Sequence, residues 1–168
     1  MSININVNKA TPTSYELVFP LIPTETAINA TEEFSLNIYG TIIPGLNLDS
    51  IEHRWMGAKF QSDSGNVTFD PWTVNFIVDS EFNNWKLLYR WITFINNNKD
   101  KFGEDPANYV VDATLRVTDN FRKEVLRIHF INVWINMLGE ITLTHREGET
   151  LLESTVNFAY DYFEIRET

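Results

Sequence analysis

The chain has 168 residues, a formal net charge of −10, no cysteine and an aromatic share of 14%. That length fits one domain, 1–168, able to bury about 70% of the surface its unfolded form exposes. The composition excludes disulfides, thiolate metal sites and a Cys nucleophile, the acidity excludes nucleic-acid binding through bulk charge, and the aromatic content excludes intrinsic disorder.

The N-terminus, MSININVNKATPTS, has no basic start followed by an apolar block. It does not read as a secretory signal, residues 1–13 read as a flexible arm, and the protein reads as cytoplasmic when made. No apolar stretch is long enough to span a bilayer.

From Tyr15 onward the dominant period is two. Tyr15, Leu17 and Phe19 alternate with other positions, and so do Phe34, Leu36 and Ile38. Further runs are Trp72-Val74-Phe76-Val78, Val111-Ala113-Leu115-Val117, Leu126-Ile128-Phe130, Ile141-Leu143 and Val156-Phe158-Tyr160-Tyr162. Successive strand side chains point to opposite faces, so each run predicts a strand with one buried face. This many strands predict a mainly β chain, an antiparallel sandwich or barrel.

Turn chemistry separates the runs. Gly40 and Pro44-Gly45 punctuate one connection, and Asp119-Asn120 and 146–149 (REGE) mark two short hairpins. The segment SDSGN at 62–66 reads as a hairpin tip, because Gly65 and Asn66 tolerate positive φ. Pro71 cannot donate to a ladder, so it marks an edge, a bulge or a strand start. The segments 24–31 and 99–108 read as loops.

One segment departs from this period. Between about 81 and 97, Trp85, Leu88, Ile92 and Ile95 recur at helical spacing, with Leu87, Trp91 and Phe94 widening the stripe. The reading is one flanking helix, capped by Asp79 or Ser80 and stopped by Asn96-Asn97-Asn98.

No catalytic constellation emerges, and the chain reads as non-enzymatic. His53, His129 and His145 have no partner at metal-ligand spacing, so no metal or cofactor is expected. Carboxylate pairs such as Glu32-Glu33 and Glu104-Asp105 are what 23 acidic residues produce by chance. No Gly-rich loop opens the helix to cradle phosphate, and no G-x-S-x-G elbow is present. Arg116, Arg122, Lys123 and Arg127 bracket one hairpin as a small basic edge.

Taken in order, several segments resemble the tube proteins of contractile phage tails. They are IIPGLNLDSIEHRWMGAKF at 42–60, with Pro44 and Gly45; TFDPWTVNFIVDSEF at 68–82, with Phe69, Asp70 and Trp72; the helix with Trp91; IHFINVWINMLGEITL at 128–143, with Gly139 and Glu140; and VNFAYDYFEI at 156–165, with Tyr160 and Asp161. The resemblance covers roughly 34–165.

It implies a β-sandwich or barrel with one helix, assembling into stacked rings, typically hexameric. It also implies a virion tail location. The implied partners are the protein itself, the tail sheath, the tape-measure protein held in the lumen, and the baseplate and tail-terminator proteins. DNA passes through the lumen without specific binding. Within that resemblance the hairpin at about 51–69, with its tip Gln61-Ser62-Asp63-Ser64-Gly65-Asn66, is assigned to ring stacking. A baseplate tube initiator or tail-completion ring is the alternative within the same architecture. A monomeric ligand-binding β-barrel is the alternative from another class.

Overall fold

A computed structural model describes residues 14–19, 22, 37–102, 109–119, 121–143 and 151–166. The strands are β1 (Tyr15–Val18), β2 (Ile38–Thr41), β3 (Leu46–Trp55), β4 (Ala58–Phe69), β5 (Trp72–Ile77), β6 (Val111–Thr118), β7 (Glu124–Leu138), β8 (Glu153–Ala159) and β9 (Tyr162–Arg166), with a helix α1 (Asn83–Phe102) between β5 and β6. Residues 1–13, 24–31, 103–108 and 144–150 lie outside the described residues, as do Phe34 and Leu36, so the readings made on them have no structural counterpart here.

The expected mainly antiparallel β architecture forms, with one helix among the described residues. Seven strands make one sheet in the order β1-β6-β7-β8-β5-β2, with β9 also on β7. The sheet turns a corner along β7. The first half of β7 pairs with β6 and β9, and the second half pairs with β8. At the corner Asn132 takes φ 55°, a conformation in which Asn is the non-glycine residue least strained. Its amide Nδ2 donates to Asp161 Oδ2 at 2.6 Å, and its backbone N–H donates to Asp112 Oδ1 at 3.1 Å. Strands that switch sheets at a bend are how two layers fold over one core.

Trp72, Val74 and Phe76 of β5, with Val156 and Phe158 of the neighbouring β8 beside them, share one core with Ile128 and Phe130 of β7, all fully buried. Trp72 stacks on Phe130, and Phe19 also stacks against Trp72. Leu87, Leu88 and Trp91 of α1 close the core, with Trp91 against Phe158. Trp85, Ile92, Phe94 and Ile95, placed on the same stripe by periodicity, are only half-buried.

Four sequence expectations need correction. The run 156–162 is two strands, β8 and β9, because the chain bends at Tyr160-Asp161 opposite Asn132. Residues 141–143 form no strand, and Leu143 is exposed. The helix begins at Asn83 rather than 81, since Phe82 has φ 60° and the Asp79 carboxylate accepts from Asn83 N at 2.7 Å. It also runs through the Asn run to Phe102. Asn costs a helix interior only about 0.7 kcal/mol relative to Ala, and Asn98 Nδ2 donates back to Phe94 O at 3.0 Å without ending it.

Candidate assembly surfaces

β3 and β4 form a separate two-stranded ribbon, paired from Leu46↔Phe69 to Trp55↔Ala58. It extends for about 35 Å at the usual rise per residue. Every β3 residue is exposed, and on β4 only Ser64 and Phe69 are partly covered.

The turn of this ribbon is Met56-Gly57, and not the segment 61–66. Trp55 pairs with Ala58, leaving a two-residue loop with φ 48° at Met56 and 83° at Gly57. Positive φ at both central positions is the type I′ turn, whose twist matches that of the flanking strands. Gln61, Ser62 and Asp63 sit mid-strand, opposite Glu52, Ile51 and Ser50. Ser64, Gly65 and Asn66 are a bulge, for between the pairs Leu48↔Val67 and Ser50↔Asp63 they face Asp49 alone. The turn chemistry of SDSGN is used there, with Gly65 at φ 72°.

Paired residues share a face, so beyond the bulge the ribbon is amphipathic. One face carries Ile51, Ser62, His53, Phe60, Trp55 and Ala58; the other carries Ser50, Asp63, Glu52, Gln61, Arg54 and Lys59. Glu52 accepts from both Arg54 Nε at 3.0 Å and Lys59 Nζ at 3.3 Å on the polar face. Trp55 is 69% exposed and Met56 93%. Below the bulge, Leu46 and Leu48 stand an odd number of β3 positions away from Ile51, and Val67 pairs with Leu48, so the apolar side there is the opposite one.

The residues singled out by resemblance fall into four places. Pro44, Gly45, Phe69, Asp70 and Tyr160 meet at the base of the ribbon. Asp70 N donates to Gly45 O at 3.2 Å, and a Cβ added at Gly45 would lie 2.6 Å from Asp70 Oδ2. Tyr160 donates its hydroxyl to Asp70 O at 2.8 Å, and Phe69 packs edge-on against Tyr160 and Phe163. Burial, and then the Asp70 charge, push the Tyr160 phenol up to about 12. Trp72 and Trp91 are core residues whose indole N–H groups donate to Thr41 Oγ1 at 2.9 Å and Tyr109 O at 3.0 Å. Gly139 lies against β8, donating to Thr155 O at 2.6 Å while its own carbonyl accepts from Ser154 Oγ at 3.2 Å. Asp161 holds the corner at Asn132. Glu140 is exposed beside an open groove.

Asn132, Met56-Gly57 and Asn84 escaped the sequence reading. Asn84 is fully buried and ties α1 to the end of β5, donating to Ile77 O at 2.7 Å and accepting from Asp79 N at 3.3 Å. Gly57 between two alternating runs was a usable signal for the turn; Asn84 carried none.

A family model of phage tail tube proteins matches residues 10–166. The chain belongs to the phage tail tube protein family. Within reach of this family, the tail tube terminator protein of Enterobacteria phage T4 is 29% identical over 144 residues, spanning 82% of this chain and 81% of its own. The tail tube protein gp19 of Enterobacteria phage T6 is 24% identical over 135 residues, spanning 79% and 82%. The fold matches a chain in the sheath–tube complex of an extracellular contractile injection system with a TM-score of 0.66 at 12% identity, over 100% of this chain and 99% of that one. The protein is therefore a β-rich structural protein of the phage tail tube family, similar to both tube and tube-terminator proteins. The family is a structural one.

Proposed function

We propose that this chain is a single tail-tube domain that closes into rings, typically of six, which stack into the tube, and that it does no catalysis. One observation carries the reading. Beyond its bulge the β3–β4 ribbon has an exposed apolar face that nothing among the described residues covers. An isolated two-stranded hairpin is marginal in water, and an exposed apolar strand pair is a liability unless it is a joining device. The stacking role assigned from sequence to the hairpin at about 51–69 stays with the distal ribbon, its tip now Met56-Gly57 rather than 61–66, with Ile51, Trp55, Met56 and Phe60 as contacts to the next ring. The lumen then holds the tape measure and conducts DNA, which an acidic wall repels. The sheath surrounds the tube, and the baseplate and tail terminator close its ends. The protein is made in the host cytoplasm and ends in the virion.

Shortening the ribbon tests this. Because Ile51 pairs with Ser62, an even number of pairs from the turn-closing Trp55↔Ala58, replacing 52–61 by a two-residue Asn-Gly turn keeps both the register and the hydrogen-bonding phase of the remaining pairs. The shortened protein should fold, give the circular dichroism spectrum of a β protein, and form no tubes by negative-stain electron microscopy at any concentration. Normal tubes from it would sink the assignment.

The T4 relative supports a second reading, a terminating ring rather than the repeating wall. Copy number per virion separates the two: many rings for the wall, and one or two for the terminator.

A further inference from the structure

The two ends of β7 carry surfaces of opposite character. At its start, the β6–β7 turn presents Phe121, 85% exposed, followed by exposed Arg122 and Lys123. The turn is held from within by Asp119. Its Oδ1 accepts from Phe121 N at 2.8 Å and Lys123 N at 2.9 Å, and its backbone exchanges bonds with Lys123 and Arg122. With that oxygen occupied by two backbone N–H groups, Asp119 serves as the frame of the turn. Of the basic edge read from sequence, Arg116 and Arg127 are bonded to Glu16 and Glu124, whereas Arg122 and Lys123 project at the tip. An aromatic side chain and two cations on a pre-organised turn make an anchor that loses little entropy on docking.

At the other end of β7 lies an open groove of about 510 Å³, lined by Tyr39, Met137, Leu138, Gly139, Glu140 and Glu153. Its wall is apolar at Met137 and Leu138, and its rim carries the carboxylates of Glu140 and Glu153. Tyr39 donates its hydroxyl to Glu153 at 2.9 Å, which fixes one of these carboxylates and raises the Tyr39 phenol above its usual range.

We propose that the Phe121-Arg122-Lys123 turn of one subunit docks in the Tyr39–Met137–Glu140–Glu153 groove of a second copy of this chain. Phe121 enters the apolar wall, and the two cations meet the two carboxylates. A basic, aromatic tip on a chain of net charge −10 complements an acidic patch of that same chain. Plug and socket differ and sit at opposite ends of a 15-residue strand, so the contact is head-to-tail and generates a ring when its rotation closes. The inference rests on the ring-forming reading above and supplies its lateral contact, distinct from the stacking ribbon.

Because the chain has no cysteine, a double variant Phe121→Cys plus Met137→Cys holds the only two thiols in each subunit. Joined by a short bis-maleimide, it should give a ladder of covalent oligomers on a denaturing gel, ending at the ring size, while neither single variant gives more than a dimer. Independently, Arg122→Glu plus Lys123→Glu should raise the concentration needed for assembly about tenfold or more, and so should Glu140→Lys plus Glu153→Lys. Combining both reversals in one chain should restore assembly. Wild-type tubes with no ladder from the double-Cys protein and no effect of the charge reversals would overturn this contact and leave the tube reading standing. A wild-type protein that stays monomeric at every concentration would overturn both. Capture of another protein by the tip, with assembly unchanged in the reversals, would also overturn the contact.

Discussion

Trp72 lies flat on Phe130, with ring centroids 4.1 Å apart and planes within 8° of parallel. The pair joins β5 to the first half of β7, so it fastens the two layers that the corner at Asn132 brings over one another. Trp72→Ala should cost about 3–5 kcal/mol, the range for removing a large aromatic from a core. A double-mutant cycle with Phe130→Leu should return a coupling of about 0.5–1.5 kcal/mol. Urea denaturation followed by far-UV circular dichroism measures both, and additive losses would show that the stack contributes only burial.

Gly139 and Gly57 make a paired prediction. A Cβ at Gly139 would sit 2.7 Å from Thr155 O and 3.2 Å from Thr155 N, both backbone atoms of a central strand. Gly139→Ala should therefore destabilise by about 1–3 kcal/mol. A Cβ at Gly57 meets open space, and the cost there is the positive φ alone, about 1–2 kcal/mol. That cost falls on the ribbon, so Gly57→Ala should leave the global unfolding midpoint unchanged and speed hydrogen exchange in 46–69.

The corner gives a graded series. Asn132→Ala removes the bond to Asp161 and keeps a side chain at φ 55°, so both losses apply. Asn132→Gly removes the same bond but relieves the backbone. The expected order of stability is Asn, then Gly, then Ala, with Ala about 2–3 kcal/mol below the wild type. Equal losses from Gly and Ala would mean that the backbone conformation is not what selects Asn.

Tyr160 sets an alkaline limit. Its phenol is raised from 10 to about 12, by burial first and the Asp70 charge second. Below pH 10 both folded and unfolded forms hold the proton, and the stability contributed by the neutral phenol is fully present. Between pH 10 and 12 the unfolded chain releases its proton first, so that contribution is lost as pH rises. Ultraviolet titration should show one tyrosine ionising near pH 12, and Tyr160→Phe should remove that step while flattening the alkaline loss.

Much of the fold is written in alternation. β5, β6 and β8 bury every second residue, as their sequences require once one face meets a core. What alternation cannot mark is where a strand bends without changing phase. The pairs Trp134↔Ala159 and Ile131↔Tyr162 keep one continuous count across the corner, so Tyr160 and Asp161 read as strand. The ribbon's turn was misplaced for a related reason. A tight turn and a bulge both call for positive φ, and SDSGN satisfies the bulge, while Met56-Gly57 has the weaker composition and the stronger geometry. Ile141 shows the opposite failure: two apolar residues in alternation form no strand once Gly139 has ended its pairing with β8. The assembly surfaces were only half legible, because Phe121 and the Glu140–Glu153 groove lie far apart in sequence and only the fold shows that they are the two ends of one strand.

That strand has a mechanical consequence. Ladder hydrogen bonds in an antiparallel pair run perpendicular to the strands. A pull along either half of β7, before or after the corner at Asn132, loads that half's bonds, to β6 and β9 or to β8, largely in shear. Many must fail together, whereas a sideways pull would open them one at a time. If neighbours grip β7 at its two ends, hoop tension around the ring passes along covalent backbone and meets the direction in which the subunit yields least.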